Sequence, residues 1–142
     1  MDDVVEQLRT VAPAILADEP VAFAYLFGSH ATGTATPASD IDVAIKLSGD
    51  ATDDLDRLAL RFRVAAALER AIGMGPIEVA LLDDLPLPLA GRVTIDGVLI
   101  ASADESAMVR WTVATRSLYL DFQPLEARIA REKLAAMAAD RG

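Results

Sequence analysis

The sequence predicts a small α/β or α+β domain: a mixed sheet flanked by helices. Three observations carry that prediction. Apolar runs of strand length alternate with amphipathic helical stretches. Glycine and proline signals punctuate the boundaries between them. At 142 residues the chain can build one core, burying roughly two-thirds of its unfolded surface, and leaves little room for a second.

In chain order, residues 2–17 carry apolar side chains at Val4, Val5, Leu8, Val11, Ala12, Ile15 and Leu16. That is helical spacing, with Asp2 or Asp3 as N-cap and Pro20 beyond the end. Pro13 lies inside, which predicts a kink or two short helices. Val21 to Phe27 is a strand-length apolar run, and residues 41–46 alternate acid and apolar. Ser48-Gly49-Asp50 makes a turn, after which Thr52 or Asp53 caps a helix reaching Ile72. Its expected apolar face is Leu55, Leu58, Ala59, Phe62, Ala65, Ala66 and Leu68. Gly73 to Pro76 ends it, and residues 77–82 read as a third strand. A short helix is expected over 85–93. Asp96-Gly97 turns the chain into a small strand at 98–100. From Asp104 the pattern is helical almost to the end, broken at Gln123-Pro124. The expected order is therefore α-β-β-α-β-α-β-α-α, one domain over 1–142 with 104–142 as a helical extension.

Composition narrows the function classes. There is no cysteine, so disulfides and thiolate metal sites are excluded. No apolar stretch approaches the ~20 residues of a membrane span, and the first residues lack the pattern of a signal peptide. A cytoplasmic location without membrane association is expected. Thirteen basic against twenty-two acidic side chains give a net charge of −9. Such a surface repels phosphodiester backbones and argues against nucleic acid as a direct partner. A mononucleotide accompanied by metal ions remains compatible with it.

The motif that carries chemistry is Gly28-Ser29, ten residues, then Asp40-Ile41-Asp42. A glycine turn after a strand lets backbone amides and the Ser29 hydroxyl approach phosphate oxygens. Residues two apart in a strand share a face, so Asp40 and Asp42 project together while Ile41, Val43 and Ile45 point to the opposite side. Ala44 follows on the acid side and is small. Paired hard oxygen donors suit Mg²⁺, which takes its other ligands from water and substrate phosphates. The third strand repeats the phase: Glu78 and Ala80 alternate with Ile77, Val79 and Leu81. If the two strands are sheet neighbours, Glu78 joins Asp40 and Asp42. Three carboxylates would then hold two ions about 3.5–4 Å apart.

These residues resemble the signature of the DNA polymerase beta superfamily of nucleotidyltransferases. More narrowly, Leu26 to Gly33 with Asp40-Ile41-Asp42 is similar to the minimal nucleotidyltransferase (MNT) domain. The likeness continues through residues 77–86, Gly97 to Ile100 and the helical tail. It implies a polymerase-beta-like fold with C-terminal helices. It further implies an antitoxin that transfers AMP from ATP to a tyrosine of a HEPN-family ribonuclease toxin, with which it forms a hetero-oligomer. By that resemblance Gly28 and Ser29 hold phosphates, Asp40 and Asp42 bind both Mg²⁺ ions, and Glu78 takes the third acidic position. Where the family loop is often arginine-rich, this chain has His30, Thr32 and Thr36. That departure keeps open a non-catalytic antitoxin that neutralises by binding, and the acidic surface keeps open a small-molecule transferase acting on a cationic, aminoglycoside-like acceptor.

Other residues have plainer expectations. His30, the lone histidine, either donates to a phosphate or sits at the rim of the loop. Met108, Trp111, Thr115, Leu118 and Phe122 form a helical face expected to pack in the core. Arg110, Arg116 and Arg128 are expected as helix-surface charges. Asp83 and Asp84 are expected as the turn or N-cap before the next helix.

Overall fold

The computed structural model describes residues 3–49 and 53–140. The sequence expectations at Asp2, Asp50 and Thr52 lie outside the described residues. Four strands form one sheet in the order β3-β2-β1-β4. They are β1 (Val21–Phe27), β2 (Ile41–Leu47), β3 (Ile77–Leu81) and β4 (Val98–Ser102). β1 runs antiparallel to both β2 and β4, whereas β2 and β3 are parallel. The parallel pair needs a crossover, and the helix between them supplies it.

Two helices cover one face of the sheet: α1 (Asp3–Ala17) and α3 (Asp54–Ile72). Val4, Leu8, Ala12 and Leu16 of α1 and Leu60, Val64 and Leu68 of α3 close over Leu26, Val43, Ile45 and Val79. Asp53 caps α3 by accepting the Asp56 amide at 2.9 Å, and Gly73 ends it in the left-handed conformation. The opposite face is covered over part of its length by α4 (Leu87–Asp96) and α5 (Glu105–Asp140). There Phe23, Tyr25, Ala44, Leu82 and Val93 form a smaller core, joined by Met108 and Trp111. The Phe23 ring meets Tyr25 edge-on at 5.9 Å and Trp111 at 5.6 Å. Tyr25 Oη and Thr112 Oγ1 share a hydrogen bond of 3.0 Å.

Both sheet edges are occupied by arginines. Arg61 Nε donates to the Val79 carbonyl at 2.7 Å on β3, and Arg9 Nε to the Leu99 carbonyl at 3.1 Å on β4. Glu69 Oε1 accepts the Ile77 amide at 2.8 Å. Edge backbone groups that would otherwise invite another strand are thereby satisfied.

Several elements depart from expectation, each for a physical reason. Of the two outcomes expected at Pro13, the split into two helices does not occur: α1 runs on through the proline, whose side is exposed while Leu8, Ala12 and Leu16 hold the other side to the sheet. α5 likewise runs through Pro124 as one helix. A proline removes one backbone bond, and the Leu, Glu, Ala and Arg that follow are strong helix formers. α3 presents Leu60, Val64 and Leu68 to the core, and Leu55, Leu58 and Phe62 are exposed instead of buried. In α5 the buried residue is Tyr119, not Leu118. Its ring lies against Gly91 of α4, where an added Cβ would clash with it. Asp83 and Asp84 lie in a single 3-10 turn (Leu82–Asp84), and Pro86 occupies the N-cap of α4. Asp83 bonds Lys46 Nζ at 2.9 Å and the Leu47 amide at 3.1 Å, while Asp84 pairs with Arg57 at 2.7 Å. They tie the turn to β2 and α3.

Candidate active site

The site is built at the end of β1 and the start of β2 and β3. A one-turn helix, α2 (Ser29–Thr32), follows β1 directly, an element the sequence pattern does not announce. Gly28 is its N-cap, with φ 76° and ψ −156°. Two constraints require glycine there. The positive φ disfavours any side chain, and a Cβ would stand 2.6 Å from Asp42 Oδ2. The glycine turn and the second acid of the Asp-Ile-Asp motif are thus in direct apposition.

The turn is closed by its own backbone. The Ala31 and Thr32 amides donate to the Gly28 carbonyl, and Thr34 donates to the Ser29 carbonyl at 3.0 Å. Gly33 adopts the left-handed conformation that ends α2. Thr32 Oγ1 meets Thr34 Oγ1 at 2.9 Å, and the Thr36 amide donates to Ser39 Oγ at 2.8 Å. The loop that lacks arginines is therefore stitched by hydroxyls as it leads into Asp40. His30 is buried within this turn, with Nε2 3.4 Å from the Ser39 carbonyl. It supports the loop from inside, and its charge interaction with Asp42 favours the ionised carboxylate.

The strand phase read from alternation is realised. Ile41, Val43 and Ile45 enter the large core, while Ala44 lines the smaller one across the sheet. Asp42 is paired with Phe27 of β1 on one side and with Glu78 of β3 on the other. Asp42 is half-buried; Asp40 and Glu78 are exposed. Burial, and then the nearby charges of Glu78 and Asp40, push the Asp42 carboxyl above its ordinary value. Among the described residues, no three His, Cys, Asp or Glu side chains stand close enough together to make a formed metal site. Asp42 and Glu78 are register partners at one end of the sheet and Asp40 immediately precedes β2, without the three being drawn into a closed ligand set.

Arg110 donates to Ser106 on its own helix, and Arg116 donates to the Thr94 carbonyl of α4, so neither is directed at the acids. Arg128 lies 3.8 Å from Glu132 one turn along. What sequence reasoning missed is a cleft of about 350 Å³ beside the acids. Asp40, Arg61, Phe62, Ala65, Pro76 and Glu78 border it, with Ile77 and Val79 at its base. Its only sequence signal is the second apolar stripe of α3, which periodicity assigns to the core.

Comparison with known proteins agrees with this fold. Solved structures share the fold over nearly the whole chain. One, a toxin–antitoxin complex with AMP-PNP, superposes with a TM-score of 0.66 at 23% identity, covering 90% of this chain and 98% of that one. Another, the MNT antitoxin bound to a tri-AMPylated HEPN toxin from Shewanella oneidensis, gives a TM-score of 0.65 at 20% identity, covering 92% and 98%. A third, from a MntA–HepT complex, gives 0.64 at 21% identity, covering 91% and 98%. No curated protein matches the sequence. Among the described residues, no helix is long and apolar enough to cross a membrane. A family profile, polymerase beta nucleotidyltransferase, matches residues 11–106, a span that holds the glycine turn and all three acids. The chain belongs to the polymerase beta nucleotidyltransferase family.

Proposed function

We propose that this protein is an antitoxin of the MNT type, which transfers AMP from ATP to a tyrosine hydroxyl of a HEPN-family toxin. The observation that carries the reading is the register Phe27–Asp42–Glu78, which sets a glycine turn and a third carboxylate on opposite sides of one half-buried acid. Gly28 and Ser29 would hold the phosphates of ATP through backbone amides and the Ser29 hydroxyl.

The donor set fits a hard divalent cation. The ion pairs of the described residues use Asp83, Asp84, Glu19 and Glu132, leaving Asp40, Asp42 and Glu78 outside them. Burial and like charge oppose the ionised Asp42, a cost that a cation offsets. Asp40, Asp42 and Glu78 would hold two Mg²⁺ ions, which when bound neutralise the triphosphate and acidify the acceptor hydroxyl. In the transfer the acceptor oxygen bonds to the α-phosphorus and the bond from that phosphorus to the bridging oxygen breaks. Pyrophosphate leaves, and the hydroxyl proton passes to a Glu78 carboxylate oxygen. His30 would keep the loop that receives the phosphates in place through its contact with Ser39.

The whole chain acts as one unit, 1–142, in the cytoplasm, with 104–142 as the extension that meets the toxin in a hetero-complex. Leu125, Ile129, Leu134 and Met137 of α5 are all exposed, and they favour a second reading in which binding alone silences the toxin. Co-expression with the product of the neighbouring gene, followed by intact-mass measurement, separates the two. Transfer predicts additions of AMP to the partner that vanish in the Asp40→Ala/Asp42→Ala double variant, together with relief of toxicity. Relief of toxicity by the double variant without any added mass would establish masking instead.

A further inference from the structure

The apolar residues of α3 fall into two stripes, and only one is used by the core. Leu60, Val64 and Leu68 are buried, whereas Leu55, Leu58 and Phe62 are 73%, 43% and 68% exposed. Phe62 is also a wall of the cleft that ends on Asp40 and Glu78. We propose that this cleft admits the acceptor, an aromatic ring bearing the reacting hydroxyl, and that the Leu55–Leu58–Phe62 stripe docks the protein that presents it. The inference rests on the transferase reading above and adds which side the acceptor enters and what receives it.

Sidedness carries the first part. Asp42 lies between β1, with its glycine turn, and β3, with Glu78. A triphosphate seated on Gly28-Ser29 occupies the β1 side. The route left to a second substrate is the β3 side, where the cleft lies. The lining suits a flat ring: the exposed Phe62 and Pro76 offer apolar surface, and Arg61 offers a guanidinium already fixed at the Val79 carbonyl. A hydroxyl on such a ring would arrive beside Asp40 and Glu78, the two acids that border the cleft.

The surroundings point to a protein rather than a free small molecule. Seven residues of helix separate Leu55 from Phe62, so the stripe runs about 10 Å away from the cleft. A contiguous exposed apolar strip leading into a polar site is the form of an interaction surface. Its far end is flanked by Asp53, Asp54 and Asp56, all exposed, on a chain of net charge −9. The matching partner surface is apolar with a basic rim.

The test measures steady-state transfer of labelled AMP to the product of the neighbouring gene by wild type, Phe62→Ala, Phe62→Tyr and Leu58→Asp. All three substitutions fall at exposed positions, and thermal melts confirm folding. Phe62→Ala and Leu58→Asp are expected to raise the KM for the protein acceptor about tenfold or more, with the KM for ATP within about twofold. Phe62→Tyr, which keeps the aromatic ring, is expected to recover most of the acceptor affinity that Phe62→Ala loses. A weakened ATP affinity with unchanged acceptor KM would assign the cleft to the adenine ring and overturn the inference. Unchanged values for both substrates would overturn it as well, while leaving the transferase reading standing. A wild type that transfers nothing overturns both.

Discussion

The two faces of the sheet are made by the same strands and end very differently. On one face Leu26, Val43, Ile45, Val79 and Ile100 are sealed by α1 and α3, with relative exposures of 3% or less. On the other face, the aromatic cluster of Phe23, Tyr25 and Trp111 fills only the part beneath α4 and α5. The remaining end carries Asp42 and Glu78 in adjacent strands, with Ala44 and Ala80 behind them. The comparison teaches how a fold this small affords a charged site. The sealed face supplies the stability, and the open end of the other face tolerates clustered like charges.

Substitutions on the two faces should therefore separate stability from activity. The largest effect on stability is expected on the sealed face. Ile45→Ala, at a fully buried position, should cost about 2–5 kcal/mol in denaturant unfolding. A loss under ~1 kcal/mol would mean that the face is less tightly packed than described. At the junction of the faces, Gly28→Ala should cost about 1–3 kcal/mol through its positive φ and the approach to Asp42. It should also lower transfer by about 100-fold or more, read from single-turnover rates. In the aromatic cluster, Tyr25→Phe removes the bond to Thr112 and should cost about 1 kcal/mol with little change in transfer.

The smallest effect has the opposite sign. Because the folded-state pKa of Asp42 is raised, its favourable contribution is present below its ordinary value of 3.8 and is lost as pH rises through the folded value. Near neutral pH its ionised form weakens the fold. Asp42→Asn, melted in chelator at pH 7, should be slightly more stable than wild type, with the difference shrinking in acid. A less stable variant across that range would show that the carboxylate is structurally needed.

The same contrast explains what could be read from the residues alone. A strand has two faces, so alternation in Asp42-Val43-Ala44-Ile45 and Glu78-Val79-Ala80-Leu81 fixed which side each acid takes. Parallel pairing then brought Asp42 and Glu78 into register. A helix has no such binary choice. α3 carries two apolar stripes, and only the position of α1 and the sheet decides that Leu60, Val64 and Leu68 are covered while Phe62 is not. Similarly, Tyr119 is buried because Gly91 on another helix leaves room for its ring, a fit between positions far apart in sequence. The role of His30 as an internal support of the loop, and of Asp83 as a tie to Lys46 and Leu47, also depends on contacts that no local pattern encodes. Neither internal proline splits its helix, since flanking residues keep both continuous.

The most direct measurement is single-turnover transfer from α-labelled ATP to the partner protein, in Mg²⁺, by wild type and Asp42→Asn side by side. The account predicts labelled partner from wild type, a rate about 100-fold lower or worse for the variant, and an undiminished melting temperature for it. Transfer by a folded Asp42→Asn at a rate within a few-fold of wild type would contradict it.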